Sequence, residues 1–187
     1  MLTYYTATTL DGWIADPDDS LDWLFRQKEG DSGTFGFDAF MSGVGALVMG
    51  STTYEWVLRH ESAEGKGWPF ALPTWVLTTR ELPADEGADV RFASGDVRPV
   101  FEEMTVAAGG RNLWLVGGGD LAGQFAEAGL LDEVVVSIAP VTLGAGRPLL
   151  PRRLDLELVE AAPNGSFVSA RYRVVGPLLE DRTATEG

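Results

Sequence analysis

The sequence predicts an α/β fold in three layers, αβα, with a mostly parallel central sheet and an antiparallel hairpin at its C-terminal end. Two observations carry this. Through Ala126, short apolar runs of strand length alternate with segments whose apolar residues recur at helical spacing, the pattern of parallel strands joined by crossover helices. Beyond that point three strand-like runs follow one another, and Asn164-Gly165 between the last two is a strong hairpin turn. With 187 residues and 45% hydrophobic content, the chain can bury a core of its own without disulfides. One domain is expected over 1–176, with 177–187, within GPLLEDRTATEG, as a flexible tail.

Leu2 to Thr9, rich in Thr and Tyr, reads as the first strand, closed by the turn pair Asp11-Gly12. Trp13-Ile14-Ala15 and the polar DPDDS follow. Trp13 beside the first strand has two readings, a core residue or a lid over a pocket. Ser20 can cap a short helix carrying Leu21, Trp23, Leu24 and Phe25. GDSGTFG separates it from a second helix, with Phe37, Phe40 and Met41 at helical spacing. Gly45 to Gly50 is a short buried strand running into Ser51-Thr52-Thr53 and a helix with Tyr54, Val57 and Leu58. His60, the single histidine, falls in RHESAEGKG, a polar loop where a solvated side chain is expected.

Thr74 to Thr79 is a third strand, ending in two hydroxyls, Thr78 and Thr79, and then Arg80. That trio suits a phosphate monoester, because hydroxyls donate and a guanidinium binds phosphate through a planar fork. Val90-Arg91-Phe92 is a minor strand, and Val97, Val100, Phe101 and Met104 mark a helix. Leu113 to Val116 is too short for a helix and suits a central strand. It breaks into Gly117, Gly118 and Gly119 and restarts as a helix at Gly119 or Asp120, with Leu121, Ala122, Phe125 and Ala126 on one face. Unpaired N–H groups at such a start favour an anion, and residues without a Cβ let it approach the backbone. Gly117, Gly119 and Ala122 also satisfy G-x-G-x-x-A, but a Rossmann fingerprint follows the first strand of its domain. Here the motif comes late in the chain.

Val134 to Val141 is the next strand, ending or bulging at Pro140. Leu154, Leu156 and Leu158 alternate with Asp155 and Glu157 in a half-exposed strand, and Val168, Ala170, Tyr172 and Val174 form one face of the last. The apolar run from Val134, continued by Leu143, Leu149 and Leu150, is richer in hydrophobics than a solvated edge should be. A homodimer with VTLGAGRPLL and the neighbouring edge strands at its interface is therefore expected.

Composition narrows the function. A net charge of −14 speaks against nucleic acid as a partner, which clustered Lys and Arg would bind. The absence of cysteine removes disulfides, thiolate catalysis and thiolate metal sites, and no metal site is expected. The N-terminus lacks the features of a signal peptide, and no run approaches the roughly 20 apolar residues of a membrane span. A soluble cytoplasmic protein is expected.

Four blocks then stand in order: TLDGWIA (Thr9 to Ala15), ALVMGSTTYE (Ala46 to Glu55), LWLVGGGDLAGQF (Leu113 to Phe125) and VVSIAPVTLGAGRPLL (Val135 to Leu150). Together they resemble the dihydrofolate reductase-like fold, within it the group similar to the C-terminal reductase domain of the bacterial riboflavin-biosynthesis enzyme (RibD). The resemblance spans Leu2 to Val175. It implies NADPH as cofactor, with Ala7 and Ile14 against the nicotinamide and Gly50, Ser51, Thr52 and Thr53 at the phosphates. It further implies Thr78, Thr79 and Arg80 at the adenosine 2′-phosphate, and Gly117, Gly118 and Gly119, with the helix start at Asp120 and Leu121, at the pyrophosphate. The family commonly has a basic residue where Ser51 stands, which leaves Arg80 as the main candidate for the 2′-phosphate. Trp13, Trp23 and Phe37 are candidates to line a substrate pocket, and Asp22 and Asp38 are the candidate proton donors. The implied activity is NADPH-dependent reduction of a C=N or C=O in a small pteridine- or pyrimidine-like heterocycle, related to 5-amino-6-(5-phosphoribosylamino)uracil reductase and dihydrofolate reductase. The alternative is a non-catalytic nucleotide- or metabolite-binding protein on the same fold.

Overall fold

Apolar runs flanked by crossover helices can hydrogen-bond side by side only as a parallel sheet. The computed structural model describes residues 1–28, 30, 35–63, 65–84 and 87–183. Its strands are β1 (Leu2–Thr9), β2 (Trp13–Ala15), β3 (Val44–Gly50), β4 (Thr74–Leu77), β5 (Val90–Ala93), β6 (Asn112–Gly117), β7 (Glu133–Ala139), β8 (Arg147–Pro148), β9 (Leu154–Asn164) and β10 (Phe167–Pro177). Its helices are α1 (Asp22–Phe25), α2 (Phe37–Ser42), α3 (Ser51–Ala63), α4 (Val97–Ala108), α5 (Gly119–Glu127) and α6 (Leu179–Thr183). An eight-stranded sheet runs β5-β4-β3-β6-β1-β7-β10-β9, and β2 pairs with β8 apart from it. From β5 to β7 all neighbours are parallel, while β10 is antiparallel to both β7 and β9. The three-layer α/β architecture is as the sequence predicts.

Strand alternation sends successive side chains to opposite faces, and the two faces are filled differently. Leu2 and Tyr4 of β1, Ala46 and Val48 of β3, and Leu113 and Leu115 of β6 pack with Met104 of α4 and Phe125 of α5. Asp96 begins α4 by accepting the Arg98 N–H, and Gly109 ends it in the left-handed region at φ 60°. The opposite face buries Leu47, Met49 and Trp114 with Tyr54 of α3, and Tyr5 and Phe40 pack against them. Aromatic rings dominate here: Tyr5 stacks on Phe40 at 4.4 Å and Phe37 lies edge-on to Trp114 at 5.4 Å. The Trp114 Nε1 donates to the Tyr5 carbonyl and the Tyr5 hydroxyl to the Phe35 carbonyl.

Several expectations change. Strand β7 lies between β1 and β10 inside the sheet, so its apolar content reflects burial on both faces and marks no edge. His60 belongs to the last turns of α3, because the helix continues to Ala63, and its ring stacks on Trp56 at 4.7 Å and Phe25 at 5.3 Å. The expected tail starts late: β10 runs to Pro177, and α6 follows, with Asp181 accepting from Arg153 at 2.9 Å. Both arms of the terminal hairpin are 11 residues long, turning at Gly165 with φ 61°. Residues 31–34 of GDSGTFG and 184–187 of the tail lie outside the described residues. Among the described residues no helix is long and apolar enough to cross a membrane.

Candidate functional site

Parallel strands end on the same rim of a sheet, and that rim is where the sequence motifs meet. Met49 of β3 is in register with Gly117 of β6, and Gly50 with Leu77 of β4. The glycine end of β3, the glycine end of β6 and the Thr78-Thr79-Arg80 turn are therefore neighbours. Helix α3 starts directly at Ser51 and α5 at Gly119, so two helix N-termini open side by side. Each carries unpaired amides and the positive end of a helix dipole, which together favour an anion. The Gly117-Gly118 peptide between them is cis.

The three glycines have three different neighbours. A Cβ on Gly117 would lie 3.1 Å from the Thr53 hydroxyl, and one on Gly118 would meet only the Ile14 Cδ1, at 4.0 Å. A Cβ on Gly119 would lie 2.1 Å from the Pro148 carbonyl and 2.5 Å from that of Leu149. Gly119 is thus required by the close passage of the β8 segment, and Gly118 is the position with open space beside it. Gly50, Thr53, Ile14 and the glycine corner come together as the sequence reading required.

Other candidates sit differently. Ala7, in register with Ser137 near the C-terminal end of β1, packs against Trp23, Ala139 and Phe167. Trp23 is only 3% exposed, so it is a wall of this core instead of a surface contact, and its indole Nε1 has no hydrogen-bond partner among the described residues. Trp13 is half-buried in β2, opposite Pro148, and not a loose lid. Phe37 is 41% exposed beside Trp114. Asp22 and Asp38 are both exposed. Ser20 does not cap α1 by accepting from its third residue; its hydroxyl accepts the Asp22 N–H at 3.1 Å.

The Leu121 side chain is buried in the core, leaving only its backbone for a ligand. Asp120 accepts from Gln124 at 3.0 Å and from Arg152 at 2.9 Å; these two bonds hold its carboxyl below the ordinary range. The Thr78 hydroxyl accepts the Arg80 N–H at 2.9 Å, while Thr79 is exposed. Ser51 is half-buried and Thr52 exposed at the start of α3. Arg80 itself donates to Glu55 of α3, a contact the sequence reading missed because 25 residues separate the pair. Two cavities, about 580 and 370 Å³, lie elsewhere, around Leu150, Arg152, Leu154 and Tyr172 beside the terminal hairpin.

A second unforeseen feature is the lacing of the Leu10–Ser20 segment to the Val141–Leu149 segment. Leu10 donates to the Val141 carbonyl and Leu149 to that of Gly12, flanking the β2–β8 pair. The Asp11 carboxylate accepts from the Thr9 hydroxyl at 2.5 Å, from Gly144 at 2.7 Å and from Leu143 at 3.0 Å. Asp19 takes a two-pronged bond from Arg147 at 2.6 and 3.0 Å. The Thr9 hydroxyl first, and the Gly144 and Leu143 amides after it, hold the Asp11 carboxyl below its ordinary range against partial desolvation; Arg147 does the same for Asp19.

Comparison with known proteins fits this geometry. The family described as RibD C-terminal domain matches residues 70–167. The uncharacterized protein YwjB of Bacillus subtilis (strain 168) is 32% identical over 172 residues, covering 90% of this chain and 94% of the relative. The chain belongs to the RibD C-terminal domain family. A putative riboflavin biosynthesis protein from Shewanella sp. PV-4 superposes with a TM-score of 0.77 at 30% identity, covering 92% of this chain and 98% of that one. The fold extends further, to dihydrofolate reductase from Enterococcus faecalis complexed with NADP(H), at a TM-score of 0.58 and 16% identity over 94% of this chain and 96% of that one. As a RibD C-terminal domain the chain has the reductase-like fold shared with the riboflavin-biosynthesis reductase and dihydrofolate reductase.

Two outcomes are expected. Gly119→Ala should lower stability by about 1–3 kcal/mol, the usual cost of overpacking, whereas Gly118→Ala should stay within about 1 kcal/mol of the parent. Urea unfolding of the two variants tests this, and equal losses would contradict it. Because the folded carboxyls of Asp11 and Asp19 titrate below their unfolded values, their stabilisation is complete above the ordinary carboxylate range and is lost as pH falls through the depressed folded values. Asp11→Asn should therefore be less stable than the parent at neutral pH, with the gap closing in acid. Denaturation at stepped pH reads the gap; a constant difference would assign the loss to packing.

Proposed function

We propose that this protein is an NADPH-dependent reductase acting on a small pteridine- or pyrimidine-like heterocycle. The observation that carries the reading is the meeting of two helix N-termini, α3 and α5, at a corner where Gly118 has open space and Gly50, Thr53 and Ile14 stand around it. Backbone amides there suit a pyrophosphate without needing many cations, which matters in a chain of net charge −14. The NADP(H) carried by the Enterococcus faecalis reductase of the same fold supports the choice of ligand.

When bound, the reduced nicotinamide supplies a hydride from its C4 to an electron-poor C=N or C=O carbon. The chain's own part is to hold and align. The amides of Gly118, Gly119 and Asp120 and the hydroxyls of Ser51, Thr52 and Thr53 hold the phosphates, with Arg80 at the 2′-phosphate. Ala7, near the end of β1, and Ile14, beside Gly118, are the apolar residues that would face the nicotinamide and exclude water from it, and orientation there would supply much of the rate. Trp13 and Phe37 flank the acceptor, and the buried Trp23 backs Ala7 from the core side. The proton comes from Asp22, Asp38 or water.

The exposure of both acids favours a second reading, a nucleotide-binding protein without turnover. Purified protein should quench or shift NADPH fluorescence, and Gly118→Val, shown folded by its melting curve, should weaken binding roughly tenfold or more. Unchanged affinity in that variant would remove the pyrophosphate assignment. A screen of pteridine, pyrimidine and flavin-precursor acceptors then separates the two readings: NADPH oxidation supports the reductase, and binding without oxidation by any acceptor supports the second.

The reading includes a homodimer in the cytoplasm. Strand β9 is a sheet edge, and Leu156 and Leu158 on it are 40% and 58% exposed, next to the cavity floored by Leu149, Leu150 and Tyr172. Apolar edges of this kind are usually covered. Light scattering should give about twice the 20.1 kDa of one chain, and Leu158→Asp should reduce it to one. A parent mass near one chain would refute the dimer.

A further inference from the structure

Arg80 follows the end of β4, beside the end of β3, and its guanidinium is engaged. Its two terminal nitrogens donate to the two carboxylate oxygens of Glu55, at 3.2 Å to Oε1 and 2.6 Å to Oε2. Glu55 stands one turn into α3, the helix whose N-terminus faces the glycine corner. A guanidinium offers the same planar fork to a carboxylate and to a phosphate, so one Arg80 cannot fully serve both.

We propose that Glu55 determines dinucleotide specificity: it occupies Arg80 where a 2′-phosphate would be held, and so flattens the preference for NADPH over NADH. This rests on the reading of the rim as a dinucleotide site. Two observations carry it. The first turn of α3 offers hydroxyls and no cation, Ser51, Thr52 and Thr53, so the adjoining arginine has no basic partner there to share the phosphate. The Arg80–Glu55 pair is open to solvent, with side-chain exposures of 52% and 32%, so a ligand can reach it and the pair can exchange. Glu55 is a positioning residue in this scheme: it acts through Arg80.

The test is a fluorescence titration of NADPH and NADH against the parent, Glu55→Gln, Arg80→Ala and the double variant. Glu55→Gln keeps the side chain's length and removes its charge. It should tighten NADPH by about three- to fivefold, the most that freeing a solvent-exposed ion pair supplies, and leave NADH unchanged. Arg80→Ala should weaken NADPH more than NADH and abolish the gain from Glu55→Gln. An unchanged NADPH-to-NADH ratio in Glu55→Gln, with both dinucleotides still bound, would overturn the role of Glu55 and leave the site assignment standing. A gain that survives in the double variant would overturn the route through Arg80. Failure of the parent to bind either dinucleotide would remove the site assignment and this inference together.

Discussion

The structure turns on a corner that has no side chains. At Gly117, Gly118 and Gly119 the missing Cβ atoms leave room for Thr53 of α3, Ile14 of β2 and the carbonyls of Pro148 and Leu149, each from a different part of the chain. A methyl group at Gly119 would have to displace backbone 2.1 Å away, which no rotamer change relieves. One glycine therefore locks the β8 segment over the helix start, and its neighbour leaves the open space a ligand would need. Packing and access are divided between adjacent residues of one turn.

The rim around that corner is held by a second device. Thr9 of β1 and Ala139 of β7 are in register, so the segments leaving both strands emerge side by side. Asp11 and Asp19 then join them through amides and a guanidinium. Asp11 gathers three donors to one carboxylate, an arrangement that favours the ionised form and fixes the turn leading into β2, where Trp13 and Ile14 sit. The apolar Ile14 beside Gly118 is thereby positioned by polar contacts several residues away.

The two faces of the sheet divide other tasks. The face under α4 and α5 is mainly aliphatic, with Met104 and Phe125 fully buried. The opposite face carries Tyr5, Phe37, Phe40 and Trp114, whose rings meet edge-on or stacked and whose polar atoms donate to backbone carbonyls. Aromatic pairs of this kind have preferred geometries, so they order the short helix α2, too brief to be stable alone.

Much of this was legible in the residues. The alternation of strand and helix, the hairpin at Asn164-Gly165 and the glycine break after Val116 are local patterns, set by side-chain period and by backbone freedom within a few residues. They suffice for the fold class and for Gly50, Thr53 and Gly117 to Gly119 as candidates. The pairing of β2 with β8, the bond from Arg80 to Glu55, the burial of Trp23 and the interior position of β7 were not legible. A strand's pattern reports how many of its faces are covered, and says nothing of which strand lies next to it. A charged residue likewise shows its sign in the sequence but acquires its partner only when the sheet order brings two distant segments together. That order is decided by the whole core at once, because parallel neighbours are joined through crossovers and their register is settled by the packing of both faces.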